Sequence, residues 1–158
     1  MTTFQLHSIG TIHCEQEEAY IKVDPEFIPA LQALDGFSHI QVLWWFSEFD
    51  NAQARTVLEA EKPYKKSPDK MGIFATRSPL RPNPIALSTA EVTYIDHKNG
   101  VIGVTYLDAY DQTPLLDIKP YTPSMDRIGT PQVPEWCAHW PKSFEESGEF
   151  PWEEEFNF

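Results

Sequence analysis

The stretch Ala86–Leu107 reads ALSTAEVTYIDHKNGVIGVTYL. Two runs rich in β-branched and aromatic residues, Ala86–Ile95 and Val101–Leu107, flank Asp96–Gly100. The Asn99-Gly100 pair is a strong hairpin signal, because tight turns need the left-handed backbone that these two residues tolerate. The spacing predicts an antiparallel strand pair. Upstream, Ser38–Phe49 (SHIQVLWWFSEF) is too apolar on both faces to be exposed and predicts a central strand. Met71–Thr76 (MGIFAT) and Leu115–Ile118 predict two short strands, Phe4–Ile12 an imperfect one and Ala19–Val23 another.

Helical signals are few. Asp24-Pro25 predicts a helix start, with Asp as N-cap and Pro in the first turn. Phe27, Ile28, Leu31 and Leu34 follow at helical spacing, and Gly36 closes the segment. Asp50 is the expected cap of a short helix over Ala52–Ala60, and Glu135–Trp140 predicts one more helical piece. Lys62–Lys70 predicts a polar loop. Ser78–Pro84 carries Pro79, Pro82 and Pro84 and must be a stiff irregular loop, since proline fixes φ and removes a donor. Six or seven strands with two modest helices, no βαβ alternation and no GxGxxG predict a mostly β fold and exclude a Rossmann-type domain.

The 158 residues suit one domain and a core that needs no disulfide or metal staple. Cys14 and Cys137 are too few for a disulfide framework and read as reduced thiols of a cytoplasmic protein. No secretory signal or membrane span is expected: the first twenty residues lack a basic and an apolar region, and the longest apolar run is Val42–Phe46. The net charge of −12 argues against a purely electrostatic nucleic-acid binder. It hides an uneven distribution. Six of the 12 basic residues lie within Lys62–Arg81, and six of the 24 acidic ones in the last fourteen positions. The stretch after Ser143 is the expected low-order segment.

Two clusters can carry chemistry. Ala75–Ile85 sets Arg77, Arg81 and Asn83 on a proline-stiffened loop. The guanidinium fork suits carboxylate, phosphate or base edges, and a stiff loop loses little entropy on binding. Its plain alternative is a structural loop with locally paired arginines. Leu107–Tyr121 follows a strand with Asp108, Asp111 and Asp117, then Lys119 and Tyr121. Acids at strand ends can act as bases or orient a cation, and they also make ordinary turns. His13-Cys14 and Cys137-x-His139 match no usual zinc spacing, so no metal is expected. Trp44, Trp45, Trp136 and Trp140 read as packing residues. The residues alone stop at a small β domain with an Arg/Pro loop and an Asp-rich strand exit.

Three stretches carry a resemblance. Gly72–Ser88 (GIFATRSPLRPNPIALS) strongly resembles the signature of the TsaA/TrmO (YaeB-like) family, Leu34–Phe46 its upstream strand and Leu107–Tyr121 its downstream motif. The likeness runs from Phe4 to Pro131. It implies a single small β-barrel, residues 1–131, with short flanking helices, followed by a Trp-containing segment and acidic tail, 132–158. It implies binding of S-adenosyl-L-methionine, a cytoplasmic homodimer, and N6-methylation of threonylcarbamoyladenosine in the tRNA anticodon loop. Carried over by position, cofactor contacts fall on Arg77, Leu87, Leu115, Leu116, Asp117 and Ile118, and on Ser47 and Glu48, where bacterial members look like His-Gln. Arg81, Asn83, Lys119 and Tyr121 fall on the substrate side; no general base is assigned. The chain resembles a short form without the C-terminal domain of longer members. The alternatives are a cofactor-binding module without methylation and a methyltransferase acting on another small acceptor.

Overall fold

The computed structural model describes residues 2–15 and 18–158. Two compact units form. Unit 1 takes Met1–Asp50 with Asn83–Arg127, and unit 2 takes Asn51–Pro82 with Ile128–Phe158.

Unit 1 is a closed six-stranded barrel. Its strands are β1 (Gly10–Glu15), β2 (Glu18–Val23), β3 (His39–Trp45), β6 (Ile85–Asp96), β7 (Val101–Val104) and β8 (Thr113–Pro120). They run in the order β1-β2-β7-β6-β3-β8, antiparallel at every pairing. Closure leaves no open edge. The mostly β fold and the barrel thus agree with expectation. Alternation fills the interior: Ile40, Val42 and Trp44 of β3 point inward and meet Ile12, Ile21, Ile102 and Leu115, each of these last four fully buried. Each such side chain contributes about 1.5–3 kcal/mol of burial. The one polar group they bring inside is matched, because Trp44 Nε1 donates to Ser88 Oγ at 3.0 Å.

The hairpin behaves as its sequence predicts. Gly100 takes φ +67°, and Asp96 Oδ1 accepts the Lys98 and Asn99 amides at 3.0 and 3.1 Å. Other local readings are corrected. The first strand does not span Phe4–Ile12 but starts at Gly10, whose partners are Val23 and Leu115; Phe4 and Leu6 are exposed. The expected helix after Asp24 is a 3-10 segment, Pro25–Leu31. Pro29 inside it removes an amide, and the Asp24 side chain makes no capping bond. The central strand stops at Trp45, and Ser47–Phe49 is a 3-10 turn.

Unit 2 has a two-stranded sheet, β4 (Glu59–Glu61) against β5 (Lys70–Gly72). No helix forms over Ala52–Ala60, only a 3-10 turn at Ala54–Thr56. Its start is held by Asn51 Oδ1, which accepts the Ala54 amide at 2.9 Å. The strand expected at Met71–Thr76 ends at Gly72 and becomes a 3-10 turn, Ile73–Ala75. Likewise Glu135–Cys137 is a 3-10 turn. The segment after Ser143 is ordered. It forms α2 (Phe144–Ser147) and α3 (Trp152–Glu155), and Ser143 Oγ caps α2.

Aromatic packing explains that order. Tyr64 stacks on Trp136 at 5.5 Å and meets Trp140 edge-on at 5.0 Å, while Trp152 and Phe156 extend the cluster. The chain end is also tied by its backbone. Lys65 N donates to Glu155 O at 2.9 Å and Asn157 N to Pro63 O at 3.1 Å, and the Asn157 side chain adds Nδ2 to Lys62 O at 2.7 Å. Glu155 is buried, its Oε2 3.0 Å from His139 Nε2. Burial raises its pKa, but the hydrogen bond with His139, Trp140 and the charge of Lys66 outweigh it and hold the carboxyl below its ordinary value. A carboxyl lowered in the folded state adds stability above its unfolded pKa and loses it as pH falls through the folded one. Acidification below about pH 4.5 is therefore expected to loosen unit 2. Fluorescence of Trp136, Trp140 and Trp152 reads it, and Glu155→Gln should flatten the acid limb.

Candidate functional site

Register, not sequence proximity, assembles the outer face of β6, β3 and β8. Leu43 of β3 lies opposite Leu87 of β6 on one side and Asp117 of β8 on the other. These three form one row. The next row is Thr89, Gln41 and Lys119. Ile85 and Trp45 pair beyond the first row. Between Leu43 and Trp44 the register slips: Leu43 faces Asp117 and Trp44 faces Leu115. Leu116 is therefore a bulge residue that pairs with no residue of β3. Bulges re-aim side chains and take main-chain groups out of the ladder, and they favour sites.

The predicted contacts divide by direction. Leu87 is exposed and Asp117 half-buried on this face. Leu115 is fully buried and Ile118 packs on the core, so those two can offer only backbone groups. Ser47 and Glu48 sit exposed on the 3-10 turn that follows β3. Asp117 Oδ2 binds Lys119 Nζ at 2.7 Å, and its Oδ1 accepts the Ile118 amide at 2.9 Å. The Asp117 carboxylate pushes the Lys119 ammonium pKa up. Tyr121 packs edge-on to His39, its amide donating to His39 O at 3.0 Å.

Sequence reading missed Gln41 and Asp126. Gln41 Nε2 donates to Asp126 Oδ1 at 3.0 Å, and Asp126 Oδ2 accepts the Thr122 amide at 2.7 Å. The pair braces the exit of β8, where α1 (Pro123–Asp126) begins. The signal was there: Gln41 is the lone amide in the apolar run HIQVLWW.

The arginine loop belongs to unit 2 up to Pro82, and Asn83 starts the return into unit 1. Short polar bonds fold it. Thr76 Oγ1 donates to Ile73 O at 2.8 Å, and the Ser78 and Leu80 amides donate to Thr76 Oγ1 and Ser78 Oγ. Arg81 pins the turn from within. Its Nε donates to Ser78 O at 2.9 Å, and Nη2 to Thr76 O at 2.7 Å and Ile73 O at 3.2 Å. Arg77 is exposed on the turn that Arg81 holds. Burial pushes the Tyr64 phenol pKa up, and a hydrogen bond with the Arg77 backbone partly offsets it. Asn83 is exposed, its carbonyl accepting the Ile85 amide at 2.8 Å.

Unit 1 also holds an apolar cavity of about 270 Å³ beneath the Pro25–Leu31 turn, lined by Ile9, Val23, Phe27, Leu31 and Phe37 and reached by Asp117 and Ile118. Burial, with the nearby Asp111 charge, raises the Cys14 thiol pKa, which makes it a poor nucleophile. The described residues contain no group of three or more His, Cys, Asp or Glu able to hold a metal ion, and no helix long and apolar enough to cross a membrane. The outer face thus offers an apolar row beside displaced backbone groups and a carboxylate.

Residues 9–127 match the family model described as the tRNA-methyltransferase O N-terminal domain. A probable S-adenosyl-L-methionine-binding protein of Pyrococcus abyssi is 39% identical over 109 residues, covering 69% of this chain and 55% of that protein. The tRNA (adenine(37)-N6)-methyltransferase of Escherichia coli is 32% identical over 147 residues, covering 81% of this chain and 62% of that one. A crystal structure of TrmO superposes with TM-score 0.65 at 27% identity, over 84% of this chain and 64% of that chain. The chain thus spans less than two thirds of the length of these three relatives.

Proposed function

Since the chain belongs to the tRNA-methyltransferase O N-terminal-domain family, we propose that it is an S-adenosyl-L-methionine-dependent methyltransferase that N6-methylates a modified adenosine of the tRNA anticodon loop. One observation carries the reading: Leu87 and Asp117, thirty residues apart in the chain, flank Leu43 in a single row beside the Leu116 bulge. The cofactor supplies an electrophilic methyl group on a sulfonium, and the protein's task is to position donor and acceptor and exclude water. Leu87 and Leu116 cover the apolar part of the cofactor. The backbone of Leu115–Ile118 and the Asp117 carboxylate orient its polar groups, with Ser47 and Glu48 at the end of β3. Arg77 contributes a charge-assisted contact. Arg81, Asn83, Lys119 and Tyr121 serve the acceptor side, and Arg81 also positions the loop that carries Arg77. These residues would hold the acceptor nitrogen in line with the methyl group, the forming N–C bond replacing the C–S bond that breaks to leave a neutral thioether.

In this reading the catalytic domain is 1–131, residues 132–158 are an appended segment, and the protein works in the cytoplasm as a homodimer. Sedimentation equilibrium is expected to return twice the chain mass at tens of micromolar; a monomer there removes the dimer. The decisive assay is conversion of the cofactor to S-adenosylhomocysteine on addition of total tRNA. A second reading, a cofactor-binding module without methylation, is favoured by the net charge of −12. It predicts binding with no turnover. Arg77→Ala is expected to weaken the cofactor by about 1.5–3 kcal/mol, roughly ten- to hundredfold in calorimetric Kd. Arg77→Lys should not restore it, because an ammonium cannot replace a planar fork.

A further inference from the structure

Unit 2 contains a cleft of about 730 Å³ lined by Lys66, Pro68, Glu135, Trp136, Ala138 and His139. Three features give it a chemistry. Trp136 is stacked on Tyr64 and edge-on to Trp140 at 5.2 Å, so the indole at the cleft wall is rigid. His139 is held by its Nε2 on the buried Glu155 carboxylate at 3.0 Å, which fixes the ring at the cleft. Lys66 is exposed, and no hydrogen bond or ion pair among the described residues holds it. Its neighbours in the same loop differ: Lys62 lies 3.7 Å from Asp69, and Lys70 2.9 Å from Glu59. Two of the loop's four lysines are thus paired, while Lys66 lies at the cleft, where its charge also acts on the buried Glu155 carboxylate.

A rigid aromatic wall beside a cation is how proteins hold single-stranded nucleic acid, with a base stacked on the ring and a phosphate on the charge. We propose that this cleft takes one nucleotide of a single-stranded RNA segment, its base against Trp136 and Pro68 and its phosphate on Lys66. The inference rests on the tRNA reading above and adds a contact formed within unit 2 alone. It also explains how a chain of net charge −12 engages RNA: the contact is local and uses stacking rather than a basic surface. Glu135 on the cleft wall opposes the phosphate and sets a sign for the test.

Affinities for a labelled single-stranded RNA nonamer and for total tRNA are measured by anisotropy across a salt series. Cofactor affinity is measured by calorimetry, and melting curves check folding. Lys66→Glu is expected to weaken RNA about tenfold or more and to reduce the salt slope by about 0.7, with cofactor affinity unchanged. Glu135→Gln should tighten RNA. Lys98→Glu, on the hairpin turn of unit 1, should do neither. A Lys66→Glu variant with wild-type RNA affinity and salt slope overturns the cleft while tRNA methylation by the wild type stands. A wild type that neither binds RNA nor methylates tRNA overturns both. Inorganic phosphate or a free nucleoside monophosphate competing as strongly, mole for mole, as the nonamer binds would assign the cleft to a small anion and overturn the RNA reading.

Discussion

Replacing Arg81 by alanine is expected to open the Ile73–Pro82 loop and to depress methyl transfer while the barrel stays folded. The guanidinium makes three bonds to main-chain carbonyls of its own loop, at Ile73, Thr76 and Ser78. Hydrogen bonds to a charged group are worth about 1.5–3 kcal/mol each. These three share two nitrogens and are half-buried, so about 3 kcal/mol is the fair total for their joint loss. That is a more than hundredfold rise in the open loop. Arg77 sits on this turn, so its contact becomes costly to order. Lysine does not rescue: one ammonium cannot span donors that diverge from Nε to Nη2. The readout is a KM for cofactor that rises as far as with Arg77→Ala, together with a melting curve in which the barrel transition is retained. Wild-type kinetics for Arg81→Ala would end the positioning role.

The second large effect belongs to the barrel seam. Gly10 pairs with Val23 on one side and Leu115 on the other. A Cβ there would stand 2.2 Å from the Lys22 carbonyl oxygen and 2.9 Å from the Val23 Cα. Both are backbone atoms, so relief requires the β1–β2 pair to shift. Overpacking of this kind costs about 3 kcal/mol at its upper range, a large share of a domain's typical 5–15 kcal/mol. Gly10→Ala is expected to lower the melting temperature sharply and to impair barrel closure. Gly103→Ala is the informative contrast. Its Cβ would meet the Tyr94 ring at 2.1 Å, closer still, yet that ring is half-exposed and can turn away. Its cost should be the smaller of the two. Denaturant titration of both variants decides, and equal losses would refute the distinction.

The kind of fold was legible because its signals are local. The turn over Asp96–Gly100 is written in the left-handed φ of Gly100 and in the Asp96 side chain that caps it. The inward face of β3 follows from the alternation of Ile40, Val42 and Trp44. The proline loop was irregular on the strength of three fixed φ angles. Family likeness named Leu87 and Asp117, yet nothing local says that they share a row. That depends on the register of β6 and β8 against β3 and on a slip at Leu116. Gln41 was passed over for the same reason, its partner Asp126 lying 85 residues away.

Tertiary contacts also overruled two local readings. Asp50 resembled a helix cap, but its Oδ2 accepts the Trp45 indole at 3.1 Å and Asn51 takes the capping place. The acidic stretch after Ser143 resembled a solvated tail. Its hydrophobic residues, Phe150, Trp152 and Phe156, are too scattered to predict structure by period, and they find Tyr64 and Trp140 only in space. By itself the sequence determined the β class, the hairpin, the stiff loop and the family, because period, φ preference and motif order are properties of neighbouring residues. The barrel's closure, the row on its outer face and the ordered chain end were decided by the tertiary structure, because register and long-range packing select among local options that differ by only a kcal/mol or so.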